Sequence, residues 1–353
     1  MFIIGFSQLK KSDNKHTAII PFSIIIPFRN EAEHLPSLLK SIASLEYNTS
    51  DFEVILVDDA SSDASVEIIK AFQLKHPKLS INIILNNRYS NSPKKDAIST
   101  AIKITTHNWI MSTDADCILP KSWLTSYANF IHTYNPNMVI GPVSFKSNKS
   151  FLHQFQLIDF LSMQGATIGG FGIHKPFMSN GANFAYKKEV FNLLNGFENN
   201  NSIASGDDVF LLENFLTHQK NKVLFIKNYA ALVHTFPVNS WTALIHQRKR
   251  WAAKATHFNN SFTKLIGVLV LLTTLAFIFS FIAVFFNLYF LWVLTLKILI
   301  DSILIFKTAH LYQQKTQFSS YVKTVLFYPF FTSYIAVASM LTSFEWKDRA
   351  FKK

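Results

Sequence analysis

Ser23-Ile-Ile-Ile-Pro-Phe-Arg-Asn-Glu31 is a short apolar run that breaks off into charged and polar side chains. Runs of this length, rich in β-branched residues, suit strands covered on both faces, as in a parallel sheet. Working outward, the same unit recurs. Phe52–Val57 ends in Asp58 and Asp59, Ile81–Leu85 is a third apolar run, and Trp109–Met111 leads to Asp114-Ala115-Asp116. Between these runs, Glu33–Ser44, Ser62–Phe72 and Lys94–Thr106 have helical patterning. The alternation predicts an α/β domain of repeated βαβ units with a parallel sheet. Such sheets take ligands beyond the carboxyl ends of their strands, where this sequence sets Arg29, Glu31, Asp58, Asp114 and Asp116. The following region, from Phe145 to Ala204, shows only a glycine-rich Gly165–Gly172 and a helix-like run near Lys187–Leu194.

Composition bounds the rest. Of 353 residues, 49% are hydrophobic and 16% charged, which excludes disorder as the main state. The net charge of +12 suits anionic lipid, nucleic acid or a phosphorylated substrate, and does not choose among them. A single Cys117 excludes an internal disulfide and agrees with a reducing compartment. Met1–Phe6 is too short for the apolar core of a secretory signal, so the N-terminal domain is expected in the cytosol.

Beyond Ser261 the chain turns apolar. Leu265–Phe286 is long enough to cross a bilayer, and Leu288–Phe306 is a second candidate separated from it only by Asn287, predicting a tight antiparallel hairpin. Lys297 and Asp301 are spaced to pair on one helix face. Tyr321–Phe344 contains Pro329 and spans, kinks or re-enters. The basic loop Lys307–Lys323 favours the cytosolic side; a full third span would then export Lys347, Arg349, Lys352 and Lys353, a conflict that a re-entrant segment removes. The expected division is an N-terminal segment 1–20, a nucleotide-binding domain 21–236, an interfacial amphipathic segment 237–262, a transmembrane region 263–344 and a basic tail 345–353. Trp241, Arg248, Lys249, Arg250, Trp251 and Lys254 give the interfacial segment its mixed character.

Each candidate site residue also has an ordinary structural explanation. Asp114 and Asp116 alternate along extended chain, so both carboxylates can face one ligand, and magnesium or manganese would complete its shell with substrate phosphates; taken alone, so common a pair is explained by two solvated aspartates in a turn. Asp58 and Asp59 can accept from a base or ribose, or cap the next helix. Asp207 and Asp208 precede the apolar run Val209–Leu212, as an N-terminal cap or as a base that takes the proton of an acceptor hydroxyl. Gln247, Arg250 and Trp251 anchor a membrane surface, or neutralise a departing diphosphate and stack on a sugar. Lys94 and Lys95 are solvated charges or phosphate contacts.

Taken in order, these residues resemble family 2 of inverting glycosyltransferases with the GT-A fold. The resemblance rests on Ser23–Glu31, Val57–Asp63, Thr113–Asp116, Asn180-Gly-Ala-Asn183, Gly206–Asp208 and Gln247-Arg-Lys-Arg-Trp251, and covers roughly residues 20 to 260. It implies a Rossmann-like nucleotide-diphospho-sugar transferase domain followed by C-terminal transmembrane helices. Pro27, Arg29, Glu31, Asp58, Lys94 and Asp114 would bind the nucleotide-sugar, and Asp116 with Asp114 would hold Mg2+ or Mn2+. Asp208, beside Asp207, would be the base. Asn180, Gln247, Arg250 and Trp251 would face the diphosphate and acceptor. Two departures stand out: Asp207 replaces the first glutamate of the family's Glu-Asp motif, and Pro93 replaces the glycine usual before the lysine.

The expected protein is thus an integral membrane enzyme of the plasma or inner membrane. It moves a sugar from a UDP-sugar to a lipid or lipid-linked saccharide acceptor at the cytosolic face, with membrane lipid but no nucleic acid as partner. The alternatives are a processive polysaccharide synthase and a non-catalytic scaffold on anionic lipid. A nucleotidyltransferase is disfavoured because Pro27–Glu31 lacks a glycine-rich phosphate loop.

Overall fold

A computed structural model describes residues 1–12, 18–198, 206–253, 258–341, 344–346 and 349–351. Lys254, Lys347, Lys352 and Lys353 lie outside the described residues. The chain forms two compact units. One comprises residues 10–144 and 178–236; the other comprises 1–9, 145–177 and 237–353.

A short helix α1 (Phe2–Gln8) opens the chain and belongs to the second unit. The first unit then begins with β1 (Phe22–Phe28), α2 (Leu35–Ala43), β2 (Phe52–Asp58), α3 (Ser65–Lys75), β3 (Ser80–Leu85), α4 (Pro93–Ile102) and β4 (Trp109–Ser112). After it come β5 (Cys117–Ile118), α5 (Trp123–Tyr134), β6 (Met138–Ile140) and β7 (Val143–Phe145). The long helix α6 (Phe151–Gly172) belongs to the other unit, and the chain returns with β8 (Phe184–Lys187), α7 (Lys188–Leu193), α8 (Asp207–Gln219), β9 (Val223–Phe225) and β10 (Val233–Thr235).

The main sheet has the order β3-β2-β1-β4-β8-β6-β9, with a small sheet β5-β10-β7 beside it. β1 pairs in parallel with β2 and with β4, and β2 with β3, as the βαβ pattern predicts. The sheet is mixed, however, because β8 runs antiparallel to both β4 and β6. Every residue of β2 is buried, so its apolar side chains are covered on both faces. Register is fixed at the amino end by a polar lock: Ser23 lies opposite Glu53, and its hydroxyl donates to Glu53 Oε1 at 2.6 Å. The same oxygen accepts from the amide and hydroxyl of Thr106 at 2.7 and 2.8 Å. At the other end the register sets Phe28 beside Asp58, so the segments after β1, β2 and β4 emerge along one edge.

The second unit is helical. α9 (Trp241–Ala253), α10 (Ser261–Ala283), α11 (Phe290–Leu311) and α12 (Phe318–Leu341) join α1 and α6. The Gly165–Gly172 stretch, unreadable as a pattern, is the last part of α6 and acts as a contact seam. A Cβ on Gly169 would fall 2.5 Å from the Phe2 carbonyl oxygen, and one on Gly172 would fall 1.8 Å from that of Gly5. Only glycines let α1 and α6 approach this closely.

Among the described residues two helices are long and apolar enough to cross a membrane, Ser261–Ala283 and Phe318–Ser339. The helix bounds refine the expected segments. The third is one continuous helix through Pro329. The second, α11, carries Lys297, Asp301 and Lys307 and is not one of that pair. The link between α10 and α11 occupies residues 284–289 and not Asn287 alone, the Asn287 side chain accepting from the Tyr289 amide at 2.9 Å. Large apolar side chains still point outward from all three helices, among them Phe279, Trp292 and Phe330, an arrangement suited to lipid and costly in water.

Candidate active site

Three loops leave the carboxyl edge of the sheet, and each is stiffened by its own hydrogen bonds. After β1, Asn30 adopts a left-handed conformation with φ 50°, its amide donating to Ser61 Oγ and its side chain accepting from the Ser62 amide. The Arg29 guanidinium donates to the carbonyls of Asp59 and Ala60 at 2.7 and 2.6 Å. Arg29 thus braces the loop after β2, where Ala60 also has a positive φ of 60°. The Glu31 amide donates to Ser65 Oγ at 2.9 Å, tying the same two loops again. Pro27 lies within β1.

Asp58, at the end of β2, accepts from the Ser61 amide at 2.9 Å. Asp59 does not cap the following helix; it accepts from Arg88 and from Asn86, pinning the loop after β3. That loop ends where Pro93 opens α4, a position at which a missing amide hydrogen costs nothing. Lys94 and Lys95 then lie in the first helical turn. Neither is a solvated charge. Lys95 is fully buried with its ammonium 4.9 Å from the Phe210 ring centroid, on α8.

Lys94 is the centre of the site. Its Nζ lies 2.7 Å from Asp114 and 3.0 Å from Asp207. Burial works against its charge, but the carboxylates of Asp114, Asp207 and Asp208 outweigh burial and hold its pKa above the usual lysine value. Asp207 and Asp208 form the first turn of α8, after Gly206 with φ 86°. Asp208 accepts from the Gly181 amide at 3.2 Å and from the Val209 amide at 2.8 Å. Gly181 belongs to the Asn180–Asn183 turn, in which Asn180 accepts from the Ala182 amide at 2.9 Å. The buried Asn183 ties this turn to the fold, accepting from Trp123 and Tyr127 and donating to the carbonyls of Pro142 and Ala231. Asn180, Asp207, Asp208, Lys94 and Asp114 are thereby brought together.

Asp116 lies beyond Asp114. Burial, then the charges of Asp114 and Glu31, push its pKa up to about 6, against a hydrogen bond from Thr235 and the influence of His34. Burial likewise raises the neighbouring Cys117 thiol. Among the described residues no three His, Cys, Asp or Glu side chains converge on a metal position. Asp114 and Asp116 fit the smaller requirement of a magnesium or manganese ion that draws other ligands from phosphate, since their mutual repulsion is what a cation relieves. Thr235 and His34 are not among the residues that the sequence singles out. His34 follows the first motif and stacks on Phe236 at 4.9 Å, a link between distant segments that linear spacing does not carry.

Gln247, Arg250 and Trp251 lie on α9 in the helical unit. Gln247 accepts from Arg248 at 2.8 Å, and the Arg248 guanidinium lies 4.2 Å from the Trp251 ring centroid. Arg248 is buried and pairs with Asp159 of α6 at 2.7 Å. Of the basic residues expected at a membrane surface on α9, Arg248 and Lys249 are buried, with Asp159 neutralising Arg248, while Arg250 remains partly exposed. Trp241 packs against Phe155, Phe327 and Phe331.

A mixed sheet with carboxylates and a buried lysine beyond its parallel strands defines the class, an α/β nucleotide-sugar transferase domain of GT-A type. Comparison with known proteins identifies the family. Glycosyl transferase family 2 matches residues 23–194 and Glycosyl transferase family group 2 matches residues 109–343. The chain belongs to glycosyl transferase family 2. It is 26% identical over 164 residues to the poly-beta-1,6-N-acetyl-D-glucosamine synthase of Staphylococcus epidermidis, covering 45% of this chain and 37% of that one. With glycosyltransferase AglE of Haloferax volcanii it shares 27% over 194 residues, 55% of this chain and 60% of the relative. These matches span less than two thirds of either relative's length. The mannosyltransferase PcManGT of Pyrobaculum calidifontis, solved with GDP-Man and Mn2+, shares the fold with a TM-score of 0.60, at 16% identity over 96% of this chain and 93% of that one.

Proposed function

We propose that this chain is an inverting glycosyltransferase that moves a sugar from a UDP-sugar to a lipid or lipid-linked saccharide at the cytosolic face of a membrane. The observation that carries the reading is Lys94, which joins Asp114 at the sheet edge to Asp207 beside the candidate base. Asp58 is taken to contact the base of the nucleotide, with Pro27, Arg29 and Glu31 lining the same site. A magnesium or manganese ion on Asp114 and Asp116 would neutralise charge on the diphosphate. Asp208 accepts the proton of the attacking hydroxyl; the new bond forms to the anomeric carbon as its bond to the diphosphate oxygen breaks, and configuration inverts. Lys94 and, from the motif alone, Arg250 balance the leaving diphosphate, with Gln247, Trp251 and Asn180 assigned to the acceptor side. The outward apolar side chains of α10–α12 support a lipid-linked acceptor, and the basic segment Lys307–Lys323 supports the cytosolic orientation.

The test is a thermal-shift screen of detergent-purified protein against UDP- and GDP-sugars with manganese or magnesium. A nucleotide-sugar should raise the melting temperature through binding linkage, and EDTA should remove the rise. A melting temperature indifferent to every nucleotide-sugar sinks the reading; a rise that survives EDTA sinks the cation. The similarity to a polysaccharide synthase favours one second reading, processive synthesis, which product length in a membrane assay separates from single transfer.

A further inference from the structure

Three independent contacts hold the first turn of α8. Lys94 pairs with Asp207, Lys95 lies over Phe210 one turn further along, and the Gly181 amide donates to Asp208. Both lysines come from the first turn of α4, so this helix grips α8 by a charge and by a ring on adjacent positions. Gly181 completes the arrangement by what it lacks. A Cβ there would lie 2.8 Å from Lys94 Nζ and 3.1 Å from Asp207 Oδ2, the two atoms of the ion pair. A side chain at residue 181 would therefore have to displace the ends of the two side chains that form the bridge.

We infer that Asp207 and Gly181 are positioning residues for Asp208, fixing the base by way of the Asp207 ion pair with Lys94, which itself touches no acceptor. The inference rests on the glycosyltransferase reading above. Asp208 sits one residue along the helix from Asp207, and its carboxylate is aimed by two amides, those of Gly181 and Val209. A carboxylate held this way remains bonded to the turn only if α8 stays where the Lys94 bridge puts it. The shorter side chain at Asp207, in place of the family's glutamate, fits the close approach of Lys94. Lys94 in turn serves two carboxylates, so loss of Asp207 leaves it on Asp114 and leaves the donor side intact.

The experiment separates these roles in the full chain in detergent. The probes are UDP-N-acetylglucosamine and GDP-mannose with manganese, read by release of the nucleoside diphosphate and by ligand-induced thermal shift. Asp207→Asn should cut kcat about 10- to 100-fold, the cost of a displaced catalytic group, while donor KM moves less than about threefold. Asp207→Glu should recover most of that loss, because it restores the charge. Lys94→Met combined with Asp207→Asn should lower kcat no further than Lys94→Met alone, as expected of groups acting as one unit. Gly181→Ala should mimic Asp207→Asn, since its methyl displaces side-chain ends and no backbone; it carries the test if Asp207→Asn does not fold. Retention of kcat by both Asp207→Asn and Gly181→Ala, a loss confined to donor KM, or multiplying losses in the double variant overturns the inference. A wild-type chain that neither binds nor cleaves either probe overturns the underlying glycosyltransferase reading instead.

Discussion

Two clusters of charge, one in each unit, are built differently. In the helical unit, Arg248 meets Asp159 and Lys297 meets Asp301, one cation to one anion. At the sheet edge, Lys94 pairs with two carboxylates, a third acts on it, and burial, then Asp114 and Glu31, push Asp116 up. A closed pair has nothing left to offer a ligand, whereas crowded carboxylates favour any cation that enters. On the proposed reading, the crowded carboxylates of the sheet unit are the charges open to a ligand, and the Arg248–Asp159 pair of the helical unit is closed.

The sharpest way to break that contrast is Asp208→Asn. It should lower transfer by about 10²–10⁴-fold, the usual share of a general base, while nucleotide-sugar binding persists; undiminished turnover would move the chemistry elsewhere. Next in size is Asp159→Ala, which strands the Arg248 guanidinium. A loss of about 3–5 kcal/mol in thermal or denaturant unfolding is expected, and the conservative pair-removing variant Asp159→Leu with Arg248→Met should recover much of it. If the single variant is as stable as wild type, the helical pair is not a structural lock.

Glu53→Gln follows. Burial alone would raise the Glu53 pKa, but hydrogen bonds from Ser23 and Thr106 prevail and hold it below its ordinary value. A depressed carboxylate stabilises the fold above its unfolded pKa, and that contribution fades as pH falls from about 4.5 through the lower folded value. Substitution should cost about 1.5–3 kcal/mol at neutral pH and flatten the acid limb of a stability profile. The smallest effect belongs to the glycine seam. Gly169→Ala must push the Phe2 carbonyl, and α1 with it, away from α6, a cost of about 1–3 kcal/mol, visible as faster hydrogen exchange in residues 2–8 with activity preserved.

The parallel half of the sheet was legible because its strands are short apolar runs with polar ends; β1 to β4 fall within a residue or so of the predicted runs. The carboxylates after them were legible for the same reason. The antiparallel β8 was not, since its pairing with β4 joins segments some seventy residues apart and leaves no local mark. α6 was hidden by its glycines, which blur the helical pattern and serve as a helix contact. The bridging role of Lys94 was out of reach because a lysine at a helix start looks solvated until Asp114 and Asp207 are folded around it. α9 misled in the opposite way: its basic residues suggest a headgroup surface, while the partner that buries one of them, Asp159, lies far off in sequence.

The Ser23–Glu53 lock also bears on folding fidelity. Strands apolar on both faces can pair one residue out of step and still bury nearly as much surface, so hydrophobicity alone tolerates a slipped register. The lock discriminates where the isoleucines do not, because a slip removes the hydroxyl partner of a buried carboxylate. The same slip would carry Asp58 out of line with Phe28 at the opposite end of the strands. Turnover in this protein should therefore report correct strand alignment as well as chemistry, and a misaligned chain would be compact yet silent.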